Sequence, residues 1–235
     1  MYEALARNDW YYTARKWEFR EALGFLAENR PKRLLEVGCG TGEFLKQARR
    51  FCGSVHGIEF NAEAAALCRQ DGLDVRELKL TDMEESFDVI AAFQVLEHVP
   101  DPGRVIEFWA AHLVPGGFLV VAVPNQDGVL GSLQDDFLNL PPHHATLWGE
   151  MSLEYVAKRF ELDLIRYSRE PLSVELYVTY TQSLLKRIPT RAGIVGKIIA
   201  KVGSVVHRGL IPYFFETATD RLTGHSHMAV YQKAG

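Results

Sequence analysis

The chain has 235 residues, 47% of them hydrophobic and 24% charged, with a formal net charge of -4. That length holds one domain, or one domain with a sizeable insertion, and the composition excludes a disordered or low-complexity chain. The near-neutral charge gives no general attraction to nucleic acid, so none is expected as a partner.

The first thirty residues are helical in pattern and rich in aromatics (Trp10, Tyr11, Tyr12, Trp17, Phe19, Phe25), and Pro31 ends them. An alternation of strands and helices follows. Strands are predicted at Arg33–Val37, Ser54–Glu59, Asp74–Leu78, Phe87–Phe93 and Phe118–Val123, the last launched by Pro115-Gly116-Gly117. Helices are predicted between them at Glu43–Arg50, Ala62–Gln70 and Arg104–His112, the third after Asp101-Pro102. Such an order implies a parallel sheet covered on both faces, and right-handed crossovers make it doubly wound. Residues 124–150 read as a loop. A helix at Met151–Phe160 and strands at Leu162–Tyr167 and His227–Tyr231 complete the pattern.

The informative run is Leu34-Leu35-Glu36-Val37-Gly38-Cys39-Gly40-Thr41-Gly42. A strand ends in an acid and then enters three alternating glycines before a helix. Glycine takes positive φ and lets a ligand approach the backbone. The carboxyl end of such a strand is where open α/β sheets place ligands. A dinucleotide fingerprint would need a glycine at position 43, where Glu43 stands, and an acid beside a pyrophosphate is unfavourable. This disfavours a nicotinamide dehydrogenase. Glu36 suits a cationic ligand, and Glu59, 21 residues after Gly38, is placed to accept ribose hydroxyls.

On these residues the chain resembles the class I S-adenosylmethionine-dependent methyltransferases. The resemblance rests on LLEVGCGTGEFL, GIEF at 57–60, FDVIAAFQVLEHVPDP at 87–102 and LVPGGFLVVAVPN at 113–125, and covers roughly residues 33–170. LEHVPDP and the later NLPPHHATLW resemble the type-11, type-12 and type-23 small-molecule group, which includes ubiquinone-biosynthesis O-methyltransferases. The resemblance implies a Rossmann-like seven-stranded sheet with its last strand antiparallel, plus a helical insertion. It implies S-adenosylmethionine as cofactor and S-adenosylhomocysteine as product. It assigns Gly38, Gly40 and Gly42 to the methionine and ribose, and Glu36 to the loop or the amino group. Glu59 takes the ribose, Phe60 lies beside the adenine, and Gln94 lines the methionine end. Asp82 and Met83 are the first choice for the adenine contact, with Glu77 and Leu78 the second. Tyr12 and Arg15 resemble an N-terminal lid.

Methyl transfer from a sulfonium is an in-line displacement that depends on holding acceptor and methyl group in line. An oxygen acceptor must also lose a proton, which a neutral amine need not. His143 and His144, in the loop after the fifth strand, are the candidate bases, against a purely structural loop role. Glu97-His98 resembles part of an ExxEH metal motif found in small-RNA 2′-O-methyltransferases and some ubiquinone enzymes. Gln94 stands where that motif has its first glutamate, so no metal is expected.

Thr181–Leu222 carries Lys186, Arg187, Arg191, Lys197, Lys201, Arg208 and Arg221 against Glu216 and Asp220, a net +5, leaving -9 on the rest. Ile194, Val195, Ile198, Ile199 and Val202 recur at roughly helical spacing within it. It reads as a lid over the acceptor site, a dimer or partner helix, or a dock on an anionic membrane surface.

The domain reading is an N-terminal helical segment (1–32), a cofactor-binding core (33–180), the basic insertion (181–222) and a last core strand (223–235). Cys39, Cys52 and Cys68 lack paired spacing, which argues for buried thiols in a reducing cytoplasm. The N-terminus lacks the apolar stretch of a signal peptide, and no apolar run of about 18 residues could span a membrane. The expectation is a cytoplasmic methyltransferase acting on a small molecule at oxygen, with nitrogen or carbon open and peripheral membrane contact as an alternative. The alternative is a catalytically silent cofactor-binding module that acts through a partner.

Overall fold

The computed structural model describes residues 9–77, 85–129, 131, 141–186, 215, 219 and 222–235, without the side chains of 9–16, 179 and 182–186. Asp82, Met83 and nearly all of the basic segment lie outside the described residues, as do the side chains of Tyr12 and Arg15.

The elements in chain order are α1 (Asp9–Asn29), β1 (Arg33–Val37), α2 (Glu43–Ala48), β2 (Ser54–Ile58), α3 (Ala62–Gln70), β3 (Asp74–Arg76) and β4 (Phe87–Phe93). A 3-10 turn at Leu96–His98 leads to α4 (Pro102–Ala111), β5 (Leu113–Pro124), α5 (Glu150–Arg159), β6 (Leu162–Arg169), α6 (Val174–Lys186) and β7 (Ser226–Lys233). The strands form one sheet in the order β3-β2-β1-β4-β5-β7-β6. β1 pairs in parallel with β2 and β4, and β4 with β5. β7 runs antiparallel to both β5 and β6. The strand order reverses between β1 and β4, which opens a crevice at their carboxyl ends.

Alternating side chains feed two cores. Leu34, Val89, Ala91, Phe93, Met228 and Val230 pack under α1, α2 and α3. Leu35, Val37, Ile90, Ala92, Ala229 and Tyr231 pack under α4 and α5, where Trp109 is fully buried. Helix α1 buries Ala22, Phe25 and Leu26 together with Trp17 and Phe19, so residues 17–29 share the core of the sheet. Two helices start where short polar side chains accept orphan backbone N–H groups: Asn61 takes the Ala64 N–H at 2.9 Å, and Asp101, ahead of Pro102, takes that of Arg104 at 3.1 Å.

Beyond shifts of a residue or two at element ends, the structure departs from the predicted elements in the following details. Pro115-Gly116-Gly117 does not precede β5 but lies inside it, as an irregularity. Gly116 takes φ +74°, and the register steps from Phe87↔Leu113 to Val89↔Phe118. Helix α6, which apolar periodicity had not revealed, packs Tyr177 against Val129 and Leu172. The boundary expected at residues 180–181 falls inside it. Among the described residues, no helix is long and apolar enough to cross a membrane.

Candidate methyl-transfer site

The glycine loop leaves β1 at the switch point. Gly38, Gly40 and Gly42 take φ +71°, +56° and +76°, a region that side chains with a Cβ rarely adopt. Space is short as well: a Cβ on Gly38 would stand 2.7 Å from Cγ2 of Val95, which follows β4. The loop is tied to β2 by Gly38 N–H and Cys39 N–H, both donating to the Ile58 carbonyl at 2.8 and 3.1 Å.

Glu59 completes this frame. It is buried, and its Oε2 accepts the Gly40 N–H at 2.7 Å while its Oε1 accepts the Asn61 N–H at 2.9 Å. One carboxylate therefore joins the glycine loop to the start of α3. Each oxygen keeps a lone pair for a hydroxyl of a bound ligand. Phe60, next in sequence, exposes 52% of its surface and is available to a flat ring. Glu36 is buried near the end of β1, with Gly57 and Ala91 as its cross-strand neighbours.

Cys68 donates its thiol to the Gly40 carbonyl at 3.2 Å. Burial raises the Cys39 and Cys68 pKa values, and it pushes Cys52 up to about 11. These thiols stay protonated and serve packing, and all three cysteines are free.

Gln94 closes β4 with φ +55°, an uncommon conformation for a residue with a side chain. Its side-chain Nε2 donates to Oε1 of Glu18, on α1, and to Oγ of Ser226 at 3.1 Å, at the start of β7. Sequence reading did not find Glu18 or Ser226. The available signal for Glu18 was its place on the buried stripe of α1, one turn before Ala22 and two before Phe25 and Leu26. An acid there breaks an apolar stripe.

The loop after β5 is clamped onto the 3-10 turn. Ala145 N–H and Thr146 N–H donate to the Glu97 carbonyl at 2.7 and 3.1 Å, and Thr146 Oγ1 donates to the Leu96 carbonyl at 3.0 Å. This brings His143 and His144 beside Glu97 and His98. His98 Nδ1 lies 2.6 Å from the His143 carbonyl oxygen, so it must carry the proton, and Nε2 keeps its lone pair in the neutral ring. The His98 and His144 rings meet edge to face at 5.1 Å. His144 is half-buried and His143 exposed. Glu97, His98 and His144 each offer a ligand atom within 4.8 Å of the others, the geometry of a potential cation site. Gln94, close by in sequence, donates its side-chain N–H groups to Glu18 and Ser226.

Among the described residues, the buried acids are Glu18, Glu36, Glu59 and Glu97, and no Lys or Arg is buried. An edge built this way favours a ligand that brings positive charge.

A sequence profile of the family described as "Methyltransferase domain" matches residues 10–170. A ubiquinone biosynthesis O-methyltransferase of Shewanella sp. (strain ANA-3) is 31% identical over 106 residues, 41% of this chain and 45% of that protein. One from Bradyrhizobium sp. (strain ORS 278) is 35% identical over 103 residues, 40% of this chain and 41% of that protein. The matched segment thus spans less than half the length of either relative. In fold, the chain resembles magnesium protoporphyrin IX methyltransferase of Synechocystis with bound S-adenosylhomocysteine. The TM-score is 0.63 at 11% identity, over 94% of this chain and 84% of that one. The profile covers more than half of the chain, strand order, glycine loop and all, and the chain belongs to the class I S-adenosylmethionine-dependent methyltransferases.

Proposed function

We propose that this protein transfers a methyl group from S-adenosylmethionine to a hydroxyl oxygen of a small-molecule acceptor. The observation that carries this reading is the His98–His144 pair against buried Glu97, beside the end of β4. An amine acceptor can react as the neutral base, whereas a hydroxyl calls for a proton acceptor. The names of the relatives agree with an oxygen acceptor.

The cofactor supplies an electrophilic methyl on a sulfonium. Gly38, Gly40 and Gly42 let its methionine and ribose approach the backbone, and Glu59 accepts the ribose hydroxyls. Phe60 stacks beside the adenine, Glu36 serves the ammonium end, and Gln94 lines the methionine. Asp82 and Met83 for the adenine, and Tyr12 and Arg15 as a lid, stand on the family resemblance alone. His144 takes the acceptor proton. His143 contributes its carbonyl to orient His98.

A second reading has one specific observation behind it. Glu97, His98 and His144 could together hold a divalent cation, with His98 oriented by its bond to the His143 carbonyl. The cation would then lower the acceptor hydroxyl's pKa directly. Turnover with phenolic and catechol acceptors, before and after chelation, separates the two. Activity that survives chelation but falls in His144→Gln supports the base. Activity lost on chelation and restored by a divalent ion supports the cation. No transfer to any hydroxyl, with transfer to amines, would overturn the oxygen assignment.

A further inference from the structure

The mechanism above leaves one buried acid without a role, Glu18. It is 1% exposed, yet it sits on α1, outside the Rossmann-like elements that carry the cofactor motifs. The residue it touches, Gln94, lies at the joint between the two halves of the site. Val95, next in sequence, packs against Gly38 of the cofactor loop, and Glu97-His98 begin the candidate acceptor cluster.

A primary amide has two N–H donors and one carbonyl acceptor. Both donors of Gln94 are engaged, one by the Glu18 carboxylate and one by the Ser226 hydroxyl. The carboxylate also decides which way round the amide lies, because an amide oxygen in that place would face a negative charge. With Nε2 held on that side, Oε1 is the Gln94 atom directed away from Glu18 and Ser226. Ser226 is fixed in turn. Its N–H donates to Oε2 of Glu170 at 3.0 Å, and it pairs with Pro124 at the end of β5.

We propose that Glu18 and Ser226 are positioning residues that lock the Gln94 amide so that its carbonyl oxygen faces the sulfonium end of bound S-adenosylmethionine. This rests on the reading that Gln94 lines the methionine end. A carbonyl dipole there stabilises the positively charged sulfonium and does little for the neutral thioether left after transfer. The lock therefore favours cofactor over product, and it ties that preference to α1 and β7.

The test is calorimetric titration of the purified protein with S-adenosylmethionine and with S-adenosylhomocysteine. It needs no acceptor, so it stands apart from the oxygen assignment. Glu18→Gln and Ser226→Ala should each weaken the sulfonium ligand about tenfold relative to the thioether, the size of a hydrogen bond to a charged group. Ser226→Thr should restore the preference by restoring the hydroxyl. In a Gln94→Ala background both substitutions should lose their effect, because they act through the amide. Equal weakening of both ligands would overturn the proposal, as that is what misfolding or a general role in the pocket produces. An effect in Glu18→Gln but not in Ser226→Ala would also overturn it, since it would show the charge of Glu18 acting directly. Should wild-type protein bind neither ligand, the reading of Gln94 would fall before the lock is reached.

Discussion

The carboxyl edge of the sheet has a half around the glycine loop and a half beyond β4, and the two are assembled differently. Around the loop, contacts are short in sequence and largely backbone-directed: Glu59 reaches Gly40, 19 residues away, and Asn61, two away. Beyond β4, contacts are long, and beside the backbone clamp on Glu97 they run through side chains: Gln94 meets Glu18 across 76 residues and Ser226 across 132, and His98 meets His143 across 45. A backbone frame tolerates few substitutions but depends on little else. A side-chain assembly can be altered one residue at a time, and it depends on α1, β7 and the loop after β5 all being in place. This division suits a fold in which one cofactor serves many acceptors.

The largest expected effect strikes the backbone frame. Glu59→Ala removes the proposed acceptor of two ribose hydroxyls and should weaken S-adenosylmethionine binding by about a thousandfold, at about 1.5–3 kcal/mol per charge-assisted bond. Calorimetry measures it, and a loss below tenfold would erase the contrast between the two halves.

Next comes a pH effect beyond β4. His227 is fully buried on β7, with Nδ1 3.1 Å from the Tyr167 hydroxyl, and burial lowers its pKa from 6.5 to about 4. Between those values the unfolded chain takes up a proton that the folded chain refuses. The stability is therefore full above about pH 6.5 and is lost as the pH falls toward 4, by on the order of 3 kcal/mol. Urea melts at several pH values should show this slope, and His227→Gln should flatten it.

On the proposed reading, His144→Gln should lower turnover about a hundredfold, the scale of a general base, while leaving cofactor affinity unchanged. A parallel loss of affinity would mean that the two halves are not separable.

The smallest effect tests the floor under both halves. The Tyr231 hydroxyl donates to the Leu153 carbonyl at 2.9 Å in the buried core. Tyr231→Phe should cost about 1–2 kcal/mol in a urea melt, with both ligand affinities unaltered.

The same division explains what could be read early. Strand β4 was legible to the residue because Phe87–Phe93 is an apolar run buried on both faces. The α4 start lies two residues earlier than predicted, because Pro102 and Gly103 already occupy the first helical positions after the Asp101 cap. Helix α6 carried no prediction, and its described side chains Leu176, Tyr177 and Tyr180 pack with Val129 and Leu172, apart from the two cores of the sheet.

The amino-acid sequence by itself determined the order of strands and helices, the glycine loop and the acid after β2. Each of these is written in neighbouring residues through hydrophobic period, positive-φ glycines and strand ends. Only the tertiary structure decided that Glu18 and Ser226 meet at Gln94, and that His98 is oriented by the carbonyl of His143. The physical reason is that a polar residue carries no local mark of its partner. Glu18 interrupts the apolar stripe of α1 in the sequence, but what it meets is settled only when α1 packs on the sheet and withdraws it from water.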